Sequence, residues 1–147
     1  MSAVIDAPDR TPVRPRRLVV VLVAVGVALV ANLALYGLGR TLGGSFAFTG
    51  PAGPAEVDAA TVAGFTVVPL LVGLLLAALL SGRWPRVLSV AMVVAPMLAL
   101  GTVPVMTLPV DLDGVSTAAL ALCHLVLAPV SVLALRALRR LCQGATA

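Results

Sequence analysis

His124 is the only histidine in this 147-residue chain, and with Cys123 and Cys142 it is the whole supply of imidazole and thiol groups. An imidazole inside a membrane-length apolar run can carry a proton near neutral pH. A relay also needs carboxylates nearby, and the run that holds His124, Val115 to Arg140, contains none. Cys123 and His124 are adjacent, so on a helix they point about 100° apart and do not converge on one metal ion. Haem held between His124 residues of two chains would draw a single ligand from each, which is thin support. Asp111-Leu112-Asp113-Gly114 has the opening spacing of a calcium loop, yet the other oxygen ligands and the closing glutamate are missing, so it reads as a turn. There is no C-x-x-C pair and no phosphate-binding loop. These residues predict no catalytic, cofactor or metal site, and no enzyme.

What they do predict is a polar layer. Four long apolar runs each carry a polar residue at a similar depth: Asn32, Thr66, Thr102 and His124. At 1.5 Å per residue, all four lie roughly 9–12 Å from the same end of their helices. Each sits on a stripe of small residues: Ala24, Ala28, Asn32 and Tyr36 in the first run; Ala59, Ala63, Thr66, Gly73 and Ala77 in the second. The third run has Ala91, Ala95, Ala99 and Thr102, and the fourth Thr117, Ala121, His124, Ala128 and Ser131. In lipid, close approach at small residues and interhelical hydrogen bonds replace ordinary hydrophobic burial. An amide or imidazole is costly against hydrocarbon, so these groups are expected to turn inward and pair, His124 with Asn32 above all. The bland role is to set helix register. The sharper one is a small polar cavity around His124 that binds a ligand or passes a proton.

The elements that must position this layer follow from composition. Hydrophobic residues make up 61% of the chain and charged residues 11%, with a mean hydropathy of +1.13. Soluble domains are nearer half apolar and a quarter charged. The chain therefore reads as an all-α, four-helix transmembrane bundle, with spans near 18–39, 59–80, 87–108 and 116–136. A basic, proline-punctuated arm (1–17) precedes the membrane domain (18–140), and a short tail (141–147) follows. The first run is about 21 residues, longer than a signal-peptide core, so it is expected to stay as an uncleaved span. Pro69, Pro96, Pro104 and Pro129 lie inside runs, where a bilayer tolerates kinks. The Gly- and Pro-rich segment from Arg40 to Asp58 reads as an exposed loop, with Phe46 and Phe48 packing on the mouth of the bundle. Asp58 is the expected N-cap of the second span, and Asp113 or Ser116 that of the fourth. The cysteines stand about 28 Å apart along one helix, too far for a bridge. Cys123 is then a small core residue and Cys142 a free thiol.

All ten basic residues are arginines, and they flank the runs. With both termini cytoplasmic, nine lie inside and only Arg40 outside, which satisfies the positive-inside rule. This placement suits lipid headgroups and gives no basic face with aromatic readers, so nucleic acid is excluded as a partner. The expected location is the inner (plasma) membrane, multi-pass. The expected partners are the bilayer and either another membrane protein or a second copy.

The first span ending near Asn32, the loop Gly50-Pro51-Ala52-Gly53-Pro54, and the last span Ala118-Ala119-Leu120-Ala121-Leu122-Cys123-His124-Leu125-Val126 together resemble a family of small four-span bacterial membrane proteins of unknown function. The resemblance covers most of the chain from Leu18 onward and implies architecture alone. Small multidrug transporters also use four short helices, but they carry a glutamate in the first span where this chain has none, and no inverted repeat is evident. A structural or accessory helix bundle is the leading expectation. A small transporter or ligand-binding protein using the layer around His124 is the alternative.

Overall fold

The computed structural model describes residues 15–84 and 86–143. Four helices carry the fold: α1 (Pro15–Thr41), α2 (Ala59–Leu80), α3 (Arg86–Thr102) and α4 (Gly114–Gln143). All four are long and apolar enough to cross a membrane once α3 is counted through to Thr107. The protein is thus mostly helical and multi-pass. Residues 1–14 of the basic arm and 144–147 of the tail lie outside the described residues. Pro15–Arg17 already belong to α1, and α4 continues through Arg136, Arg139 and Arg140 to Gln143, beyond the expected end of the span.

The caps are as the side chains dictate. Asp58 accepts from the Thr61 amide at 2.7 Å and opens α2. Asp113 accepts from the Ser116 amide at 2.9 Å and opens α4, which frees the Ser116 hydroxyl for other work. Helices α2, α3 and α4 each contain a proline, at Pro69, Pro96 and Pro129, and continue through it. Beyond α3 the chain widens into a π turn over Val103–Thr107, where the Leu108 amide reaches back five residues to the Val103 carbonyl at 3.0 Å. Pro104 lies in this stretch and has no N–H to offer, which favours a departure from the α ladder there.

The expectation of an all-α chain needs one correction. Ala47–Gly50 (β1) pairs antiparallel with Gly53–Glu56 (β2), with Gly50 opposite Gly53 across the two-residue loop Pro51-Ala52. Gly53 has φ +114°, a backbone that side chains rarely adopt. The segment reads as flexible because its glycines and prolines mask strands of only four residues.

The helices join tightly near the α2–α3 turn. There Val21 and Val25 of α1, Ala78 of α2, Leu88 of α3, and Leu135 and Leu138 of α4 form one buried cluster. Arg17 donates from Nη1 to the Ala78 carbonyl at 3.3 Å, placing a cation at the C-terminal end of α2. Helix α3 packs on α4 but is the most exposed of the four: Leu88 is its single buried residue.

Candidate functional site

The polar layer assembles in part. Asn32 is 1% exposed and donates from Nδ2 to Thr66 Oγ1 at 2.9 Å, joining α1 to α2. On α1 the small-residue stripe faces inward as expected, with Ala24, Ala28 and Asn32 all buried. Asn32 Oδ1 is buried without a hydrogen-bond partner. Exchanging the amide's oxygen and nitrogen would move the orphan to the other end of the group and not remove it.

His124 does not meet Asn32. Its Nδ1 lies 2.8 Å from the Leu120 carbonyl of its own helix, and because a carbonyl only accepts, that nitrogen carries the proton. The ring is half-buried. The reason is a shift of one residue in which face of α4 points inward. In the first half of α4 the buried positions are Ser116, Ala119 and Cys123, whereas the expected stripe ran through Thr117, Ala121, His124 and Ala128; only its last member, Ser131, is buried as expected. One residue turns a helical side chain by about 100°, so Cys123 takes the place facing α1. Its Sγ lies 3.7 Å from the Asn32 carbonyl. Thr102 is likewise absent from the pair: its hydroxyl donates to the Ala99 carbonyl one turn back, at 2.7 Å.

Beside the layer is an apolar slot. It has a volume of about 340 Å³ and lies between α2, α3 and α4, walled by Leu70 and Gly73, by Ala91 and Ala95, and by Leu127 and Leu135. Three hydroxyls reach its walls. Thr102 and Ser131 spend theirs on carbonyls of their own helices, and Thr66 Oγ1 is engaged by Asn32. Short side chains on facing helices make the slot.

At the hairpin end a second polar system closes the bundle. Phe46 is fully buried, its ring centroid 4.7 Å from that of Tyr36, while Phe48 is half-buried. The Phe46 amide donates to Ser116 Oγ at 2.9 Å. Ser116 Oγ in turn donates to Asp113 Oδ2 at 2.6 Å, and the same carboxylate oxygen accepts the Ser45 amide and hydroxyl at 2.9 and 2.8 Å. Asp111 accepts the Thr49 amide at 2.8 Å. The segment read as a plain turn is therefore the clasp of the hairpin. Donors from Ser116 first, then from Ser45, hold the Asp113 carboxyl far below its ordinary range. Thr49 lowers Asp111 in the same way, and Thr61 lowers Asp58. Arg40 bridges the hairpin to α1 through Glu56 at 2.7 Å and the Ser45 carbonyl at 2.8 Å.

No group of three or more histidine, cysteine, aspartate or glutamate side chains among the described residues has the arrangement to hold a metal ion. The feature missing from the sequence reading is the clasp. Its signal was the pair of aspartates two residues apart, which a calcium template discarded and a capping template explained only in part.

Residues 12–141 match the model of a family described as a family of unknown function, DUF6069. No curated protein and no solved structure matches the chain.

Proposed function

The chain belongs to DUF6069, and we propose that this member is a structural or accessory helix bundle of the bacterial inner (plasma) membrane, with no enzymatic activity of its own. Both termini face the cytoplasm and the hairpin faces out. The orientation rests on the arginines. Arg83 and Arg86 lie in or beside the α2–α3 turn, and Arg136, Arg139 and Arg140 end α4 at the same side, whereas Arg40 is alone at the hairpin end. Reporter fusions at the two termini and at Gly82 should read cytoplasmic, and one at Gly53 outside. A periplasmic signal from either terminus overturns this orientation.

The accessory reading is carried by one observation: the layer's polar groups are bonded within the bundle. Asn32 holds Thr66, while His124 and Thr102 are tied to their own helices. Groups used this way fix register. In this role the bundle presents apolar helix faces to lipid, to another membrane protein or to a second copy.

The second reading, a small transporter or ligand-binding protein, draws on Asn32 Oδ1, a buried acceptor left without a donor. Proton flux into liposomes carrying the purified chain separates the two. The accessory reading expects wild type, His124→Leu and Asn32→Leu to match empty liposomes across pH 5.5–8, the range in which an ordinary histidine titrates. A pH-dependent flux that disappears in His124→Leu would favour the transporter and sink the accessory role.

A further inference from the structure

The apolar slot and the arginines below it form two halves of one site, and we propose that it binds an anionic phospholipid, phosphate on Arg83 and Arg86 and one acyl chain lying in the slot. The slot is flanked by α2 and α3; Arg83 lies in the turn joining these two helices and Arg86 opens α3. Both are exposed, and neither side chain forms a hydrogen bond or ion pair with another described residue. Every described carboxylate is at the opposite end, at Glu56, Asp58, Asp111 and Asp113. Among the described residues, no carboxylate meets the positive charge at the turn. Trp84, 59% exposed between the two arginines, is the kind of side chain that settles at the headgroup level.

Distances along α3 join the halves. Ala91 stands about 7–8 Å above Arg86, and Ala95 about 13–14 Å, at 1.5 Å per residue. A lipid tail reaches about 15 Å from the headgroup side to the bilayer midplane. A chain descending from a phosphate at Arg86 therefore enters the slot at Ala91 and passes Ala95 and Gly73. The walls suit a hydrocarbon, since their hydroxyls are already engaged. Charge decides against the rival occupant. A second copy inserted in the same orientation has all its described carboxylates at the hairpin end, so it brings no described anion to Arg83 and Arg86, whereas a phospholipid brings its phosphate.

The test uses the full chain purified in a neutral detergent, with phosphatidylglycerol and phosphatidylcholine of identical chains added in equal amounts. Native mass spectrometry reads which lipid is retained. Wild type should retain phosphatidylglycerol roughly tenfold better, given the attraction of each arginine near the surface for anionic lipid. Arg83→Gln with Arg86→Gln should bring the two lipids close to parity. Gly73→Leu should reduce retention of both. A Cβ at Gly73 meets nothing within 4 Å, so a larger side chain can start into the slot from there. Ala95→Leu, on the facing wall, repeats the test should Gly73→Leu not elute as a folded species. Glycerol 3-phosphate in excess should leave the bound lipid in place. Equal retention of the two lipids by wild type, retention unchanged in the arginine or slot variants, or displacement by glycerol 3-phosphate would each overturn the proposal, the last by pointing to a free-phosphate site.

Discussion

The hairpin end and the α2–α3 seam both use small residues to open space inside the bundle, and they differ in what occupies it. At the hairpin end, Gly39 and Ala119 face each other so closely that a Cβ on Gly39 would stand 2.8 Å from the Phe46 ring and 2.9 Å from the Ala119 Cβ. The protein fills that space with its own side chain. At the seam, Gly73, Ala91 and Ala95 open a slot of about 340 Å³ that the chain does not fill. The cause is connectivity. Seventeen residues (42–58) link α1 to α2 and can fold back over the helix ends, whereas the α2–α3 link is a tight turn with nothing to spare. A small-residue stripe makes room, and the length of the adjacent loop settles whether the protein itself fills it.

The largest effect should come from making the two regions alike. Removing the buried ring with Phe46→Ala leaves a cavity at the hairpin end and should destabilise by about 3–5 kcal/mol, the range for buried aromatic truncations. Phe46 also has φ 55°, an uncommon conformation for a bulky side chain. The amide bond to Ser116 Oγ and the Val57 amide on the Phe46 carbonyl, both 2.9 Å, hold it there. Phe46→Gly loses the same ring but relieves the backbone, so it should be more stable than Phe46→Ala by about 1 kcal/mol. Equilibrium unfolding of the two variants checks the order. Equal stabilities would show that the backbone at this position is unstrained, and the same stability as wild type would show that the ring contributes no packing.

Much of this contrast could be read from the chain. Four apolar runs of membrane length fixed the helices, and Asp58 marked the N-cap of a helix that the structure starts at Ala59. Phe46 could be singled out because it was one of two large apolar groups in a polar stretch. Partners within the layer were harder to read. Depth follows from counting residues, but facing direction turns by about 100° with each one, and on α4 nearly every position is apolar or small, so no polar face marks the outside. That is why His124 was expected where Cys123 stands. The clasp was hidden for another reason. Asp111 and Asp113 meet Thr49 and Ser45 across more than sixty residues of sequence, and no local pattern encodes such a meeting. The slot is less legible still, since it arises where short side chains of separate helices face one another, and small residues recur on all of these helices.

A smaller effect sharpens the same comparison through pH. Asp113 accepts bonds from both the amide and the hydroxyl of Ser116 and of Ser45, and these favour its ionised form. Its folded-state value is depressed below the ordinary 3.8. The stabilisation is therefore complete above that ordinary value, and is lost as pH falls from there through the lower native one. Asp111, held by Thr49, adds to the effect in the same direction. No described helix interior contains a carboxylate, so the seam has no counterpart to this titration. The chain's single tyrosine and single tryptophan report the two regions separately. Tyr36 packs against Phe46 at the hairpin end, the two rings tilted by 54°, and Trp84 lies in the α2–α3 turn. In a Trp84→Phe background, acrylamide quenching of Tyr36 should rise as pH drops below about 4, while Trp84 in wild type should change little. Asp113→Asn should loosen Tyr36 already at neutral pH and flatten most of the acid step, because the neutral amide no longer rewards the four donors as a carboxylate does. Asp111→Asn should leave most of the step in place. If Trp84 follows Tyr36 through the same acid step, the two ends open together and the clasp is not an independent device of the hairpin.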